Sequence, residues 1–133
     1  MKKIINTVII IVLSSLGLLI YVGTQIVSPQ KRYETIRIDG KTYKMRIAQN
    51  QAEWARGLML VRKPVDYDGM VFYFPSRAPR PFWNVNTVVN LDIMWMDGDK
   101  VVGKSFLPSV EKSKQVVTVS SPAPVNKVVE IIK

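Results

Sequence analysis

Apolar residues fall into two regimes along this chain. From Val8 to Val22 they run almost unbroken, interrupted only by Ser14, Ser15 and Gly17. No polar face recurs there at helical spacing. From Glu34 onward, apolar and polar residues alternate in short runs separated by Gly, Pro, Asn and Asp, the pattern of half-buried strands joined by turns. The first such pair spans Glu34–Asp39 and Lys41–Ile47, around Asp39-Gly40, a favoured two-residue turn. That turn sets Ile38 opposite Lys41 and Ile36 opposite Tyr43. Ile36, Ile38, Tyr43, Met45 and Ile47 then share a core face, with Thr35, Arg37, Thr42, Lys44 and Arg46 on the wet one.

The pattern changes once. Asn50 and Glu53 have the spacing of a capping box, and Gly57 can close a helix, which predicts a short helix from Gln51 to Arg56. A loop from Lys63-Pro64 to Asp68-Gly69 leads to a buried strand, Met70–Phe74, ended by Pro75. Residues 76–82, SRAPRPF, read as a Pro/Arg loop. Asn84–Thr87 and Asn90–Met96 read as strand, Asp97-Gly98-Asp99 as a turn, and Lys100–Phe106 as the next strand. Pro108–Lys114 is expected to be a loop, and Val116–Ser120 and Val125–Ile132 the last strands. Many short strands with one short helix predict a mainly-β fold, a single small sandwich or barrel-like domain.

The apolar N-terminus extends, with weaker flanks, over Ile4–Val27, close to the twenty or so residues that span a bilayer as a helix. Lys2 and Lys3 precede it. A cleaved secretory signal is the competing reading, but the exit YVGTQIVSPQ has no Ala and only weak cleavage candidates near Gly23 and Thr24. An uncleaved anchor or transmembrane helix over residues 1–30, with a linker at Ser28-Pro29-Gln30, is therefore expected. Lys31 and Arg32 flank the far side with the same charge, so the short tail decides for an inside N-terminus and an extracytoplasmic domain over 31–133.

The chain has 133 residues, so 103 remain beyond the anchor, enough for one domain and not two. Its formal charge is +9; without Lys2 and Lys3 the domain keeps 17 basic residues against 10 acidic. A basic surface favours anionic partners: lipid headgroups, acidic envelope polymers or nucleic acid. Nucleic acid is the weakest of these, because the basic residues are dispersed and no binding motif is present. Neither Cys nor His occurs. That excludes disulfides, Cys/His zinc sites, Cys nucleophiles and Ser-His-Asp triads. No cofactor or metal is expected. Met59, Met70, Met94 and Met96 lie in apolar segments and read as core, not as copper ligands.

Three segments recur in a distinctive order: GLM at 57–59, GMVFYFP at 69–75, and FWNVNTVVNLDIMWMD at 82–97. In this order they resemble the family called domain of unknown function 192, small mainly-β domains often found behind an export signal. The resemblance runs from about Tyr43 to Ile132. Where that family usually has Met after FW and Pro before LDI, this chain has Asn84 and Asn90. An Arg two residues after GLM falls one later, at Arg62. The family's Gly-containing turn after the last strand has no counterpart before Lys133. The resemblance implies an architecture and no activity.

Among residues that could carry chemistry, Asp92 stands out as a lone acid in LDIMWM. A carboxylate buried there must be hydrogen-bonded, paired or protonated. It is read as a structural acid that takes backbone N–H groups or pairs with an Arg such as Arg56, against the alternative of a general acid or base with a raised pKa. Gly57 and Gly69 are read as structural punctuation. Arg77 and Arg80, in the Pro-stiffened loop before Phe82 and Trp83, form the ligand-binding candidate, with Asn86 and Thr87 beside the Trp83 platform. The same residues also fit a solvated loop and a strand bend. The sequence thus points to a membrane-tethered, non-catalytic binding module for an anionic envelope component. The alternative is a carboxylate-dependent hydrolase of envelope glycan with Asp92 as its acid, which needs a second carboxylate about 5–10 Å away.

Overall fold

The structure, a computed structural model, describes residues 5–14, 17–26 and 31–133. The chain divides into two compact units, Met1–Gln30 and Lys31–Lys133. In the first, β1 (Ile5–Ser14) and β2 (Gly17–Ile26) pair antiparallel, Ile5 opposite Ile26 and Ser14 opposite Gly17. The helix expected over residues 4–27 is not shown. The β-branched residues that crowd both arms suit strands at least as well as a helix. No helix among the described residues is long and apolar enough to cross a membrane. The ends of the expected span, Ile4 and Val27, lie outside the described residues, as do Lys2, Lys3 and the 28–30 linker.

The second unit is mainly β. It comprises β3 (Tyr33–Ile38), β4 (Lys41–Ala48), α1 (Gln51–Arg56), β5 (Gly69–Ala78), β6 (Pro81–Trp83), β7 (Leu91–Asp97), β8 (Lys100–Leu107), α2 (Val110–Ser113), β9 (Thr118–Ser120) and β10 (Val125–Ile132). Six strands form one sheet in the order β3-β4-β5-β10-β7-β8, and β6 pairs with β9 as a separate two-stranded sheet. The first hairpin has the register its turn dictates, with Ile36 opposite Tyr43 and Ile38 opposite Lys41. Helix α1 begins where Asn50 Oδ1 accepts from the Glu53 N–H at 3.0 Å, and it ends at Gly57, whose φ is +48°. Strands β4 and β5 run parallel, so a crossover must join them. Helix α1 and the 57–68 loop make that crossover and lie over one face of the sheet.

That face carries the larger core: Phe72, Met70, Leu91, Ile93, Trp95, Leu107 and Val128, with Leu58 from the crossover. On the other face, Ile38 and Met45 meet Val71, Met96, Val129 and Ile131. The sheet curls on this side, and Lys104 of β8 reaches Asp39 of the β3–β4 turn at 2.6 Å.

Four expectations change. The loop expected over 76–82 shrinks to residues 79–80, because Pro81–Trp83 pairs with Thr118–Ser120 as β6 with β9. Strand β5 continues past Pro75 to Ala78, because its pairing with β10 is irregular there: Tyr73 faces Lys127, then Ala78 faces Val125. Pro needs no ladder partner at such an irregularity. Asn84–Thr87 is a turn, with Thr87 N–H bonded to the Asn84 carbonyl and Asn86 at φ +54°. The loop at 108–114 contains a second helix, α2, capped by Ser109. Asn84 and Asn90, two of the departures from the resembled family, both hold this region. Asn84 is fully buried; its Nδ2 donates to the Pro108 carbonyl at 2.9 Å and its Oδ1 accepts from the Val117 N–H at 2.7 Å. Asn90 Oδ1 accepts from the Ser109 N–H at 2.9 Å.

Candidate functional site

A cleft of about 310 Å³ opens where the α1 crossover faces β6. Its walls are aromatic: Trp54 of α1, Phe72 and Phe74 of β5, and Phe82 and Trp83 of β6. They interlock, with Trp54 and Phe74 5.0 Å apart between centroids, and Phe82 edge-on to both Phe72 and Trp95. These contacts fix the walls; Trp83, half exposed at 52%, is free to meet a ligand. Leu58, Met59 and Pro81 add apolar surface, and buried Thr87 contributes a hydroxyl.

Two arginines line the same cleft, Arg56 and Arg80. The Arg80 guanidinium lies 4.0 Å from the Phe74 centroid, and its Nη2 donates to the Ser76 carbonyl at 2.7 Å. Stacking and that bond orient the cation without neutralising it. Among the described residues, neither Arg56 nor Arg80 is in an ion pair.

The floor holds the unexpected group. Glu130 projects from β10 between Met70 of β5 and Ile93 of β7, on the face beneath the crossover. It is 4% exposed, and burial pushes its carboxyl up to about 8 from 4.5. It is therefore largely protonated at neutral pH. Gly57 lies above it: a β-carbon there would sit at ordinary contact, 3.7 Å from Glu130 Oε2, so the glycine answers to its φ of +48° and not to crowding. Gly69 makes room beside it. A β-carbon at Gly69 would lie 1.8 Å from the Glu130 carbonyl oxygen, an impossible approach.

The candidate residues separate accordingly. Arg56, Gly57, Arg80, Trp83 and Thr87 meet at the cleft. Arg77 does not line it; its Nε pairs with Asp97 Oδ1 at 2.5 Å. Asn86 serves the backbone, its carbonyl accepting from the Leu60 N–H at 2.8 Å. Asp92 is neither deeply buried nor paired with Arg56. It bonds Lys133 Nζ at 2.7 Å on the opposite face, in a hollow shared with Asp39 and Lys104. Strand alternation explains this: Asp92 is registered with Ile131, so it faces away from Glu130. Glu130 carried the same signal that drew attention to Asp92, a single acid inside an apolar strand, VVEII.

The profile of the family described as uncharacterized ACR, domain of unknown function 192 (DUF192), matches residues 34–133. The chain belongs to the DUF192 family. Two solved structures share the fold. One is a candidate transcription regulator from Sinorhizobium meliloti 1021, with 24% identity, a TM-score of 0.62, and coverage of 80% of this chain and 84% of that one. The other is a protein of unknown function from Novosphingobium aromaticivorans DSM 12444, with 23% identity, a TM-score of 0.56, and coverage of 76% and 81%. At these identities the likeness speaks to fold alone. Curated proteins yield no match. Each of the three DUF192 segments noted in the sequence sends residues to the cleft: Gly57, Leu58 and Met59; Phe72 and Phe74; Phe82, Trp83 and Thr87.

Proposed function

We propose that this DUF192 protein is a membrane-tethered, extracytoplasmic binding module that holds an anionic envelope component, a lipid headgroup or an acidic polymer, at the aromatic cleft without transforming it. One observation carries the reading. Arg80 is a stacked, un-neutralised cation at the edge of an apolar cleft, beside an exposed Trp83. An anion gains charge-assisted bonds there, in surroundings where they are stronger than in water. Arg56 adds a second charge from α1, while Arg77 and Asn86 take no direct part. The hydrolase alternative loses its footing, since Asp92 faces away and, among the described residues, Glu130 is the one carboxyl lining the cleft.

The tether rests on the apolar run over residues 4–27 and its Lys2-Lys3 flank. Carbonate-washed membranes should retain the protein, and its intact mass should include residues 1–30. A mature N-terminus between Gly23 and Gln30 would establish a cleaved signal instead. For binding, anionic and neutral vesicles and an acidic envelope polymer are titrated against the parent and Arg80→Ala/Trp83→Ala. Affinity for an anionic arm should exceed that for neutral vesicles, weaken with salt, and drop at least tenfold in the double variant. Equal binding by parent and variant would place the site elsewhere.

A further inference from the structure

On the floor of the cleft, Glu130 is withdrawn from water, yet its Oε2 has no hydrogen-bond partner among the described residues. Arg80 Nε is buried without a partner in the same way. Buried polar groups are nearly always satisfied, by protein, water or ligand. Both residues line one cleft, which points to a molecule that completes both.

The chemistry of that molecule follows from what the cleft offers. A guanidinium is a donor only, and a protonated carboxyl adds an O–H donor. A cation could bond an ionised Glu130, but it would face Arg56 and Arg80, the charged groups that line the cleft with it among the described residues. Donors and positive charge together call for an acceptor-rich anion. The walls, Trp54, Phe74 and Phe82, call for a flat apolar body, and about 310 Å³ is the low end of ligand pockets, room for one ring system.

We propose that Glu130 is the residue that reads the ligand, its carboxyl O–H donating to an oxygen of a carboxylate borne on an apolar ring while Arg80 supplies the opposing charge. This rests on the cleft being the anion site and adds to it a ligand class and a proton requirement. The surroundings make Glu130 the group that titrates. From α1, Arg56 faces the cleft, and Glu53 is turned to Arg32 at 3.5 Å. From the β5–β6 connection the facing group is Arg80. On β5 and β7, Tyr73 and Asp92 lie on the other face, and Lys127 of β10 is registered with Tyr73 and Met96 there. Arginines stay charged at any pH of interest, leaving Glu130. With its carboxyl near 8, about a tenth of it remains protonated at pH 9, and apparent affinity falls to about that fraction of its full value.

The test uses the full chain and two probes of one shape, 2-naphthoate and 2-naphthylmethylammonium, titrated by calorimetry at about pH 6.5 and pH 9 against a protein-free blank. The parent should prefer 2-naphthoate at least tenfold at pH 6.5 and lose about tenfold of that affinity at pH 9. Glu130→Gln keeps a donor in the same volume, so it should bind 2-naphthoate at both pH values with less than twofold difference. Parent binding that is unchanged between the two pH values overturns the proposal, as does a Glu130→Gln variant with the parent's pH loss or a preference for the cation. If acidic polymer or anionic vesicles bind through Arg80 and Trp83 while 2-naphthoate does not bind at all, the ring-acid inference fails and the anion site stands.

Discussion

Replacing Glu130 by Gln should stabilise the domain at neutral pH, and by more as pH rises. Glu130 is 4% exposed between Met70 and Ile93, and burial alone lifts its carboxyl from 4.5 to about 8. Between those values the native state holds a proton that the unfolded chain has released. Stability therefore falls as pH rises, from its full value below about 4.5 to its lowest above about 8. At 1.36 kcal/mol per pH unit the full span is about 5 kcal/mol, of which about 3 is already lost at pH 7. Gln carries no such proton, so its stability should lack this slope. Asp66 and Asp99, held below the usual carboxylate range by hydrogen bonds from Lys44 and Lys127, have the opposite dependence, lost as pH falls. They are common to both proteins and cancel in the difference. Denaturant unfolding at intervals from pH 4 to 9 measures it. All three Trp residues lie in 31–133, so their fluorescence follows this unit even in the full chain. The two curves should converge near pH 4 and separate by about 2–5 kcal/mol at pH 8. Parallel curves would mean that Glu130 is ionised when folded, by a partner or water that relieves its burial, and the argument for a neutral floor would be lost.

Other perturbations separate structure from site. Gly69→Ala drives a β-carbon into the Glu130 carbonyl and should break the β5–β10 ladder, costing more than the roughly 1–3 kcal/mol of ordinary overpacking; a midpoint change below about 1 kcal/mol would contradict it. Asp92→Ala removes a partly exposed pair with Lys133 and should cost no more than about 1 kcal/mol, a small fall in melting temperature. A loss of several kcal/mol would restore Asp92 as a core group. Asn84→Ala leaves the Val117 N–H and the Pro108 carbonyl without their partner and should cost about 2–4 kcal/mol; unchanged amide exchange across 108–118 would refute the tie.

Much of the fold was legible because its signals are local. The Asp39-Gly40 turn and the alternation around it fix the β3–β4 register, Asn50, Glu53 and Gly57 bound α1, and Val125–Ile132 is a strand by composition and flanking turns. Other elements depended on distant partners. Pro81–Trp83 is strand only because β9 pairs with it, and β5 runs through Pro75 only because β10 shifts register there. Arg80 and Thr87 were legible as charged and polar residues near the aromatic Trp83, and the structure draws all three into one cleft.

The two acids mark the boundary most clearly. In sequence, Asp92 in LDIMWM and Glu130 in VVEII carry the same signal, a charge inside an apolar strand, which fixes that each needs an explanation. Which one receives water and a lysine depends on the face that strand pairing assigns. Asp92 falls on the curled side and meets Lys133, while Glu130 falls under the α1 crossover. A one-residue slip between β7 and β10 would reverse such an assignment, because side chains alternate with a period of two. Local pattern determined the strands and their apolar content; register and the parallel crossover, both long-range, decided which carboxyl was sealed from water beneath the cleft.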